Sequence, residues 1–333
     1  MLSGQSVPAV RTEQLLQGLA GKRVLVTGGA GFVGSRVAHE LVARGAIVTV
    51  LDDLSTGQRG LLPEGLAQFV QGSVTDVDTI DRCVHDAQLV FHLAVRNIIR
   101  STIEPREDYE VNIGGTLNIL LAAQKAPNLE RVLYTSSVSI YGNPRALPIT
   151  EEEGVNILSP YAASKLAGES YCSAFIEMYQ MPITVVRYSN VYGAHQSPKN
   201  PYCGVVSKFM ESCARGEPVQ IHGSGLQTRD FTYIDDAVQA TLLAALTPRA
   251  EGAMINVGSG RETTVRELAD LVSQCMGVPT RIDYIDRRDI DNVQRRVVNI
   301  ERARRMLRWA PTIDLTRGLA MTRDWLRGHR DGA

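Results

Sequence analysis

Apolar positions along the chain fall into two alternating rhythms. The β-branched runs Arg23-Val-Leu-Val-Thr27 and Ile47-Val-Thr-Val-Leu51 read as buried parallel strands. Between them, residues 32–44 carry Val33, Val37, Leu41 and Val42 on one helical face. Gly45 ends that pattern, so a helix is predicted. Further strands are predicted at 67–71, 89–93, 131–136 and 183–187, and helices at 77–85, 106–125 and 161–179. Strands alternating with helices imply βαβ units, hence an α/β protein with a mostly parallel, doubly wound sheet.

Past Tyr192 the rhythm loosens, with Pro198, Pro201 and many glycines. Residues 21–192 therefore read as one domain, rejoined by 233–260 and 296–300. Residues 193–232 and 261–333 read as a smaller, mixed C-terminal substrate lobe. Residues 1–20 read as an N-terminal extension on the surface, with a short helical pattern from Glu13 to Leu19.

The 333 residues hold 35 Lys plus Arg and 36 Asp plus Glu, a net charge of −1. No nucleic-acid partner is expected from that balance. No apolar run spans a bilayer, and Met1 to Gln14 lacks a secretory pattern, so no membrane partner is expected either. The five cysteines are scattered, without CxxC, and the histidines form no HExxH. Neither a disulfide framework nor a metal site is expected, and a reducing cytoplasm fits best.

Thr27-Gly28-Gly29-Ala30-Gly31-Phe32-Val33-Gly34 links a predicted strand to a predicted helix. Glycines there let the backbone turn tightly and approach a pyrophosphate seated on the helix N-terminus. The pattern points to a Rossmann-type dinucleotide site contacted by Gly28, Gly31, Phe32, Val33 and Gly34. The second strand ends in Leu51-Asp52-Asp53. An acid at that point accepts from both ribose hydroxyls and repels a 2′-phosphate, which selects NAD over NADP. Asp52 is the first choice, with Asp53 beside it. Asp76, next to Val77, is a candidate for the adenine amine and equally a helix N-cap.

Tyr161-Ala-Ala-Ser-Lys165 puts Tyr161 and Lys165 on one helical face. A free tyrosine has a pKa near 10, and a neighbouring ammonium is expected to lower it toward useful base strength. Tyr134-Thr-Ser-Ser-Val-Ser139 closes a strand whose carboxyl end faces the ligand crevice. Ser136 and Ser137 can hydrogen-bond there, and both can instead simply cap the strand.

Together TGGAGFVG, His92-Leu93-Ala94, the Ser136-Ser137 strand end, YAASK and Arg187-Tyr-Ser-Asn-Val-Tyr-Gly193 resemble the extended short-chain dehydrogenases/reductases. More narrowly the chain resembles the NAD-dependent nucleotide-sugar epimerases and dehydratases, and most closely UDP-sugar 4-epimerases. That resemblance implies Tyr161 as base, Lys165 on the nicotinamide ribose and Ser137 assisting. It implies NAD contacts from Leu93, Ala94, Asn112, Ser136 and Tyr188, and a substrate contact from Asn190. The stretch from Asn200 to Lys208, with Val205, resembles UDP-sugar epimerase segments, as does Gly225 to Phe231. By the same resemblance Arg229 and Arg288 grip the diphosphate and Asp291 the uridine ribose. It also implies a homodimer paired through residues 106–125 and 161–179, with Leu117, Leu120, Leu121, Phe175 and Ile176 as apolar contacts.

The relatives that eliminate water or decarboxylate carry acids at the strand end, where this chain reads Ser137-Val138-Ser139. A base, a hydride acceptor and hydroxyls remain, which suffices to oxidise and re-reduce C4. The expected activity is therefore NAD-dependent 4-epimerisation of a UDP-hexose or UDP-hexuronate. Arg96 and Arg100 follow the HLA segment, and Arg96 is the candidate for a uronate carboxylate. The alternatives are a dehydratase, a UDP-glucuronate decarboxylase, an enzyme oxidising or reducing the sugar once, or an NAD-binding scaffold.

Overall fold

The computed structural model describes residues 9–196, 204–287 and 292–328. Helix α1 (Ala9–Gln17) precedes β1 (Arg23–Thr27), α2 (Phe32–Ala43), β2 (Ile47–Asp52), β3 (Gln68–Gln71), α3 (Val77–Val84) and β4 (Leu89–His92). Then come α4 (Ile98–Ile103), α5 (Pro105–Asp108), a π-helical segment (Tyr109–Gly114), α6 (Gly115–Lys125), β5 (Arg131–Ser137), α7 (Pro160–Tyr179) and β6 (Ile183–Tyr188). The rest runs β7 (Asn190–Tyr192), α8 (Val205–Arg215), β8 (Val219–His222), β9 (Thr228–Arg229), β10 (Phe231–Tyr233) and α9 (Ile234–Leu246). It ends with β11 (Met254–Val257), β12 (Thr263–Thr264), α10 (Val265–Met276), β13 (Ile282–Ile285), α11 (Glu301–Leu307) and α12 (Leu315–Gly328).

Seven parallel strands form the central sheet in the order β11–β6–β5–β4–β1–β2–β3. This is a Rossmann-type arrangement. The chain steps outward from β1 through β2 to β3, then returns to build β4, β5 and β6 on the other side. Thr27 of β1 pairs with His92 of β4 at that reversal, where the strand carboxyl ends open a crevice.

The period-2 alternation of the strands explains the two cores. Val24, Val26, Val48 and Val50 face α2 and α9. Leu25, Leu51, Val90 and Val132 face α3, α6 and α7. β11 pairs with β6, and α9 packs on β5 and β6, so the middle of the chain does return to the first sheet. Among the described residues no helix is long and apolar enough to cross a membrane.

Two features depart from the sequence pattern. The N-terminal segment does not merely lie on the surface: Leu16 and Leu19 are fully buried in the main core, and α1 packs on α9. The helix predicted at 106–125 starts at Pro105 and carries a π segment within it. The extra residue in that turn accompanies inward bonds of Asn112: its Nδ2 donates to Asp108 (2.6 Å), and its Oδ1 accepts from the Arg96 N–H (2.7 Å). Such π-turns recur at functional sites.

A buried ion pair anchors α7 to the sheet. Arg187 of β6 grips Glu169 of α7 through Nε (2.8 Å) and Nη2 (2.6 Å), with both side chains nearly inaccessible. Removing one partner of such a pair costs about 3–5 kcal/mol, because the other charge stays buried and unmatched. Glu169→Ala should lower the unfolding free energy by an amount in that range, and adding Arg187→Met should recover much of it. Equal loss in the single and double variants, read by denaturant unfolding, would refute this account of how α7 is held.

Candidate active site

The crevice begins at the turn after β1. Gly28 is left-handed (φ +69°), and a Cβ there would lie 2.7 Å from the Ala94 nitrogen. A Cβ on Gly34 would lie 2.1 Å from the Gly28 carbonyl oxygen. The two glycines thus let the first turn of α2 sit directly on the β1 turn. Gly31, the N-cap of α2, provides no side-chain cap, so the helix start presents its N–H groups to the crevice.

A cleft of about 420 Å³ runs from this turn to α7. It brings together Gly28, Gly31, Phe32, Val33, Gly34, Asp52, Asp53, Leu93, Ala94, Arg96, Ser136, Ser137, Tyr161, Lys165, Tyr188 and Asn190. Ser55, Gln58, Ser73, Val74, His195 and Gln196 also line it, and sequence reasoning did not single them out as site residues. Ser73 and Val74 lie in the Gly72–Asp76 stretch, a signal that the search for an acid passed over. Gln58 and Gln196 carry no motif.

Other predicted residues stand apart. Asp76 caps α3, accepting from the Thr79 N–H and hydroxyl, and neither Asp76 nor Val77 lines the cleft. The N-cap alternative is what the geometry supports. Asn112 is buried behind the wall, bonded to Asp108, Ser164 and the Arg96 backbone. Ser139 donates its N–H to Ser137 Oγ and does not line the cleft. Val205 adjoins the lining residue Gly204. Arg229 is buried and donates from Nη1 to the carbonyls of Thr228 and Val293. Arg288 and Asp291 lie outside the described residues.

At the near end of the cleft, Asp52 is nearly buried. It accepts from the Ala30 N–H (2.9 Å) and the Leu54 N–H (2.8 Å). Burial holds its carboxyl above the usual value despite these donors. Asp53 behaves oppositely: burial raises its pKa, but bonds from Ser55 and Arg96 outweigh that and lower it.

Arg96 sits in an ion-pair network. Its guanidinium donates to Glu107 (2.9 Å), Ser55 (2.7 Å) and Asp53 (2.8 Å), and Arg100 donates to the same Glu107. All three Arg96 nitrogens are committed to this network. A guanidinium matched by two carboxylates is not a ready receptor for a uronate.

At the far end, Ser159 caps α7 by accepting the Ala162 N–H, and Pro160 occupies the first turn. Tyr161 and Lys165 follow one turn apart. Ser137 at the end of β5 lines the cleft with Tyr161, and its hydroxyl donates to Ser139 Oγ (3.0 Å). Lys165 donates to the Thr135 carbonyl (2.7 Å) and stands 5.0 Å over the Tyr134 ring. Burial pushes Tyr161 up to about 12 and draws Lys165 down to about 8. The expected depression of the tyrosine by its lysine is therefore not seen. Desolvation of a phenolate dominates, and the ammonium is turned toward a carbonyl.

Two buried acceptors fit a bound dinucleotide and sugar. Ser136 Oγ and Asn190 Oδ1 line the cleft, are inaccessible, and have no hydrogen-bond partner among the described residues. Buried polar atoms are normally paired, so ligand hydroxyls or amides would satisfy them. With the side-chain-free start of α2 and the glycine cradle, the residues present suit NAD.

The sequence profile of the NAD dependent epimerase/dehydratase family matches residues 24–258. The chain is 36% identical over 312 residues to UDP-glucose 4-epimerase of Mycolicibacterium smegmatis, covering 92% of this chain and 98% of that protein. It is 32% identical over 320 residues to UDP-N-acetyl-alpha-D-glucosaminuronate decarboxylase of Bacillus cytotoxicus, covering 92% and 98%. An epimerase structure from Methanothermobacter thermautotrophicus superposes with a TM-score of 0.93 at 34% identity, covering 98% of each chain. The cleft geometry and these matches agree, and the chain belongs to the NAD-dependent epimerase/dehydratase family.

Proposed function

We propose that the protein is a UDP-sugar 4-epimerase, with Tyr161 as its acid and base. One observation carries this reading. The only carboxylates lining the cleft among the described residues are Asp52 and Asp53, both at the end away from Tyr161. Elimination or decarboxylation calls for an acid beside the sugar, where this chain places Ser137 and a tyrosine. The set is sufficient for moving one proton and one hydride at C4.

When bound, NAD supplies the hydride acceptor for C4 and the donor that restores it. Tyr161 Oη removes the proton of the 4-hydroxyl, and the Ser137 hydroxyl steadies that oxygen. The flat 4-keto sugar turns within the cleft so that its opposite face is reduced, and Tyr161 returns the proton. With NAD bound, Lys165 would place a positive charge beside the tyrosine and a donor toward the nicotinamide ribose. Gly28, Gly31 and Gly34 would let the backbone meet the pyrophosphate, and Asp52 would hold the adenosine ribose.

The sugar is best read as a neutral UDP-hexose. The cation expected to recognise a UDP-hexuronate, Arg96, is held by Glu107 and Asp53. The dimer reading also takes a narrower form. Leu120 and Phe175 belong to the chain's own core, whereas Leu121, Tyr171, Met178 and Tyr179 on α6 and α7 are exposed. These four are the apolar contacts we assign to a two-fold interface.

Tyr161→Phe keeps the ring but removes the proton acceptor, so turnover should fall by about 10²–10⁴-fold with NAD still bound. Deuterium at C4 of the sugar should remain in the epimerised product. NMR of a UDP-sugar panel that includes a uronate reads this, and washout, or loss of water or carbon dioxide, would refute the closed cycle. Asp52→Ala should weaken NAD far more than NADP in direct binding measurements, and equal weakening would remove Asp52 as selector. Light scattering should give twice the 36.4 kDa chain mass, and a single-chain mass would reject the interface.

A further inference from the structure

A buried carboxylate lies directly behind the catalytic tyrosine. Asp108, at the end of α5, is 3% exposed. Its Oδ1 accepts from the Ser101 hydroxyl (2.5 Å), Asn112 Nδ2 (2.6 Å) and the Ser164 hydroxyl (3.0 Å). Ser164 sits on α7 between Tyr161 and Lys165, and its hydroxyl also lies 3.0 Å from the Tyr161 carbonyl. Asn112 in turn donates to Ser164 Oγ and to the Arg96 carbonyl, and it accepts the Arg96 N–H. One oxygen is thus the node where α4, the π segment and the first turns of α7 meet.

Three converging donors suit a charged acceptor rather than a neutral one. A fixed negative charge in a dry layer acts on its neighbours with little screening. It opposes a second negative charge at Tyr161 and favours a positive one at Lys165. Other groups face the pair as well. Arg296 and Ser137 favour the phenolate, while Glu169 on α7 favours the ammonium. His92 on β4 and the Tyr134 ring on β5 complete the surroundings of Lys165.

We propose that Asp108 is a positioning residue for the proton-transfer pair, holding the Tyr161–Lys165 turn through Ser164 and placing a buried carboxylate behind it. The inference rests on the assignment of Tyr161 as acid and base. Asp108 touches neither sugar nor nicotinamide in this role. It acts through Ser164 and through its field.

The test uses the NAD-loaded full chain in four forms: wild type, Asp108→Asn, Ser164→Ala and Tyr161→Phe. Tyr161 ionisation is read by pH-jump ultraviolet difference spectroscopy, with the Y161F signal subtracted. D108N keeps the shape but removes the charge, so the ionisation midpoint should move to lower pH. The acid limb of the kcat profile should move with it. Lowering the midpoint by one pH unit would raise the ionised fraction about ten-fold at any pH well below it. S164A cuts the tether and keeps the charge. Its midpoint should hold while kcat falls and KM stays nearly constant. An unmoved midpoint in D108N overturns the field, and an unchanged kcat in S164A overturns the tether. If D108N does not fold, the S164A pair of readouts still decides whether geometry and charge are separable. If wild type turns over no UDP-sugar, the epimerase reading fails, while the spectroscopic midpoints still judge Asp108.

Discussion

The placement of the reactive helix depends on the buried pair between Arg187 and Glu169. Arg187 also donates to the Tyr141 hydroxyl (2.7 Å) and the Glu151 carbonyl. Tyr141 donates to Asn256 of β11 (2.9 Å), whose N–H donates to the Glu151 carboxylate. One guanidinium therefore unites β6, α7, the loop after β5 and β11. The helix lies close because Gly168 faces β5: a Cβ there would sit 2.1 Å from the Tyr134 hydroxyl. A paired charge on one side and a missing side chain on the other leave α7 little freedom. Tyr161 and Lys165 point into the cleft as a consequence.

The same economy governs the opposite wall. Gly28 and Gly34 bring α2 onto the β1 turn, and Asp52 ties that turn to the end of β2 by accepting the Ala30 and Leu54 N–H groups. Asp52 is thus structural before any ribose arrives. Its neighbour Asp53 is drawn into the Arg96 network, which bridges the loops after β2 and β4. Two adjacent acids of similar appearance in sequence therefore face different partners. The carboxylates gather at one end of the cleft and leave the other to hydroxyls.

Features carried by short-range patterns were legible in the sequence. The glycine-rich turn, the YxxxK spacing and the alternation of strand and helix each depend on neighbours within a few residues. Features that depend on distant partners were not. The spacing of Leu16 and Leu19 showed a helix, but not that α9 would cover it. Arg96 looked available for a carboxylate because Glu107 and Asp53 are brought to it only by the fold. Asp76 offered two readings, and local capping by Thr79 decided between them. Asp108 belongs to no motif, and its importance arises because a π-turn carries Asn112 inward while Ser164 arrives from another element. The depressed tyrosine expected from YxxxK failed for a related reason, since spacing gives proximity but not the burial that outweighs it.

A tyrosine raised rather than lowered suits the chemistry. In epimerisation the same group must take a proton in one half of the cycle and return it in the other. A tyrosine held far below neutrality would serve the first half and fail the second. Burial and Asp108 bias Tyr161 toward the phenol, while Ser137 and Arg296 bias it toward the phenolate. The resting state is a neutral tyrosine beside a lysine whose own proton is loosened by burial to about 8. In the epimerase reading, a further positive charge in the cleft, as NAD would supply, would favour proton transfer from the sugar. Without that charge the phenol would again be favoured, leaving Tyr161 able to return the proton. The opposing influences around one hydroxyl group thus suit a residue that must act as both base and acid.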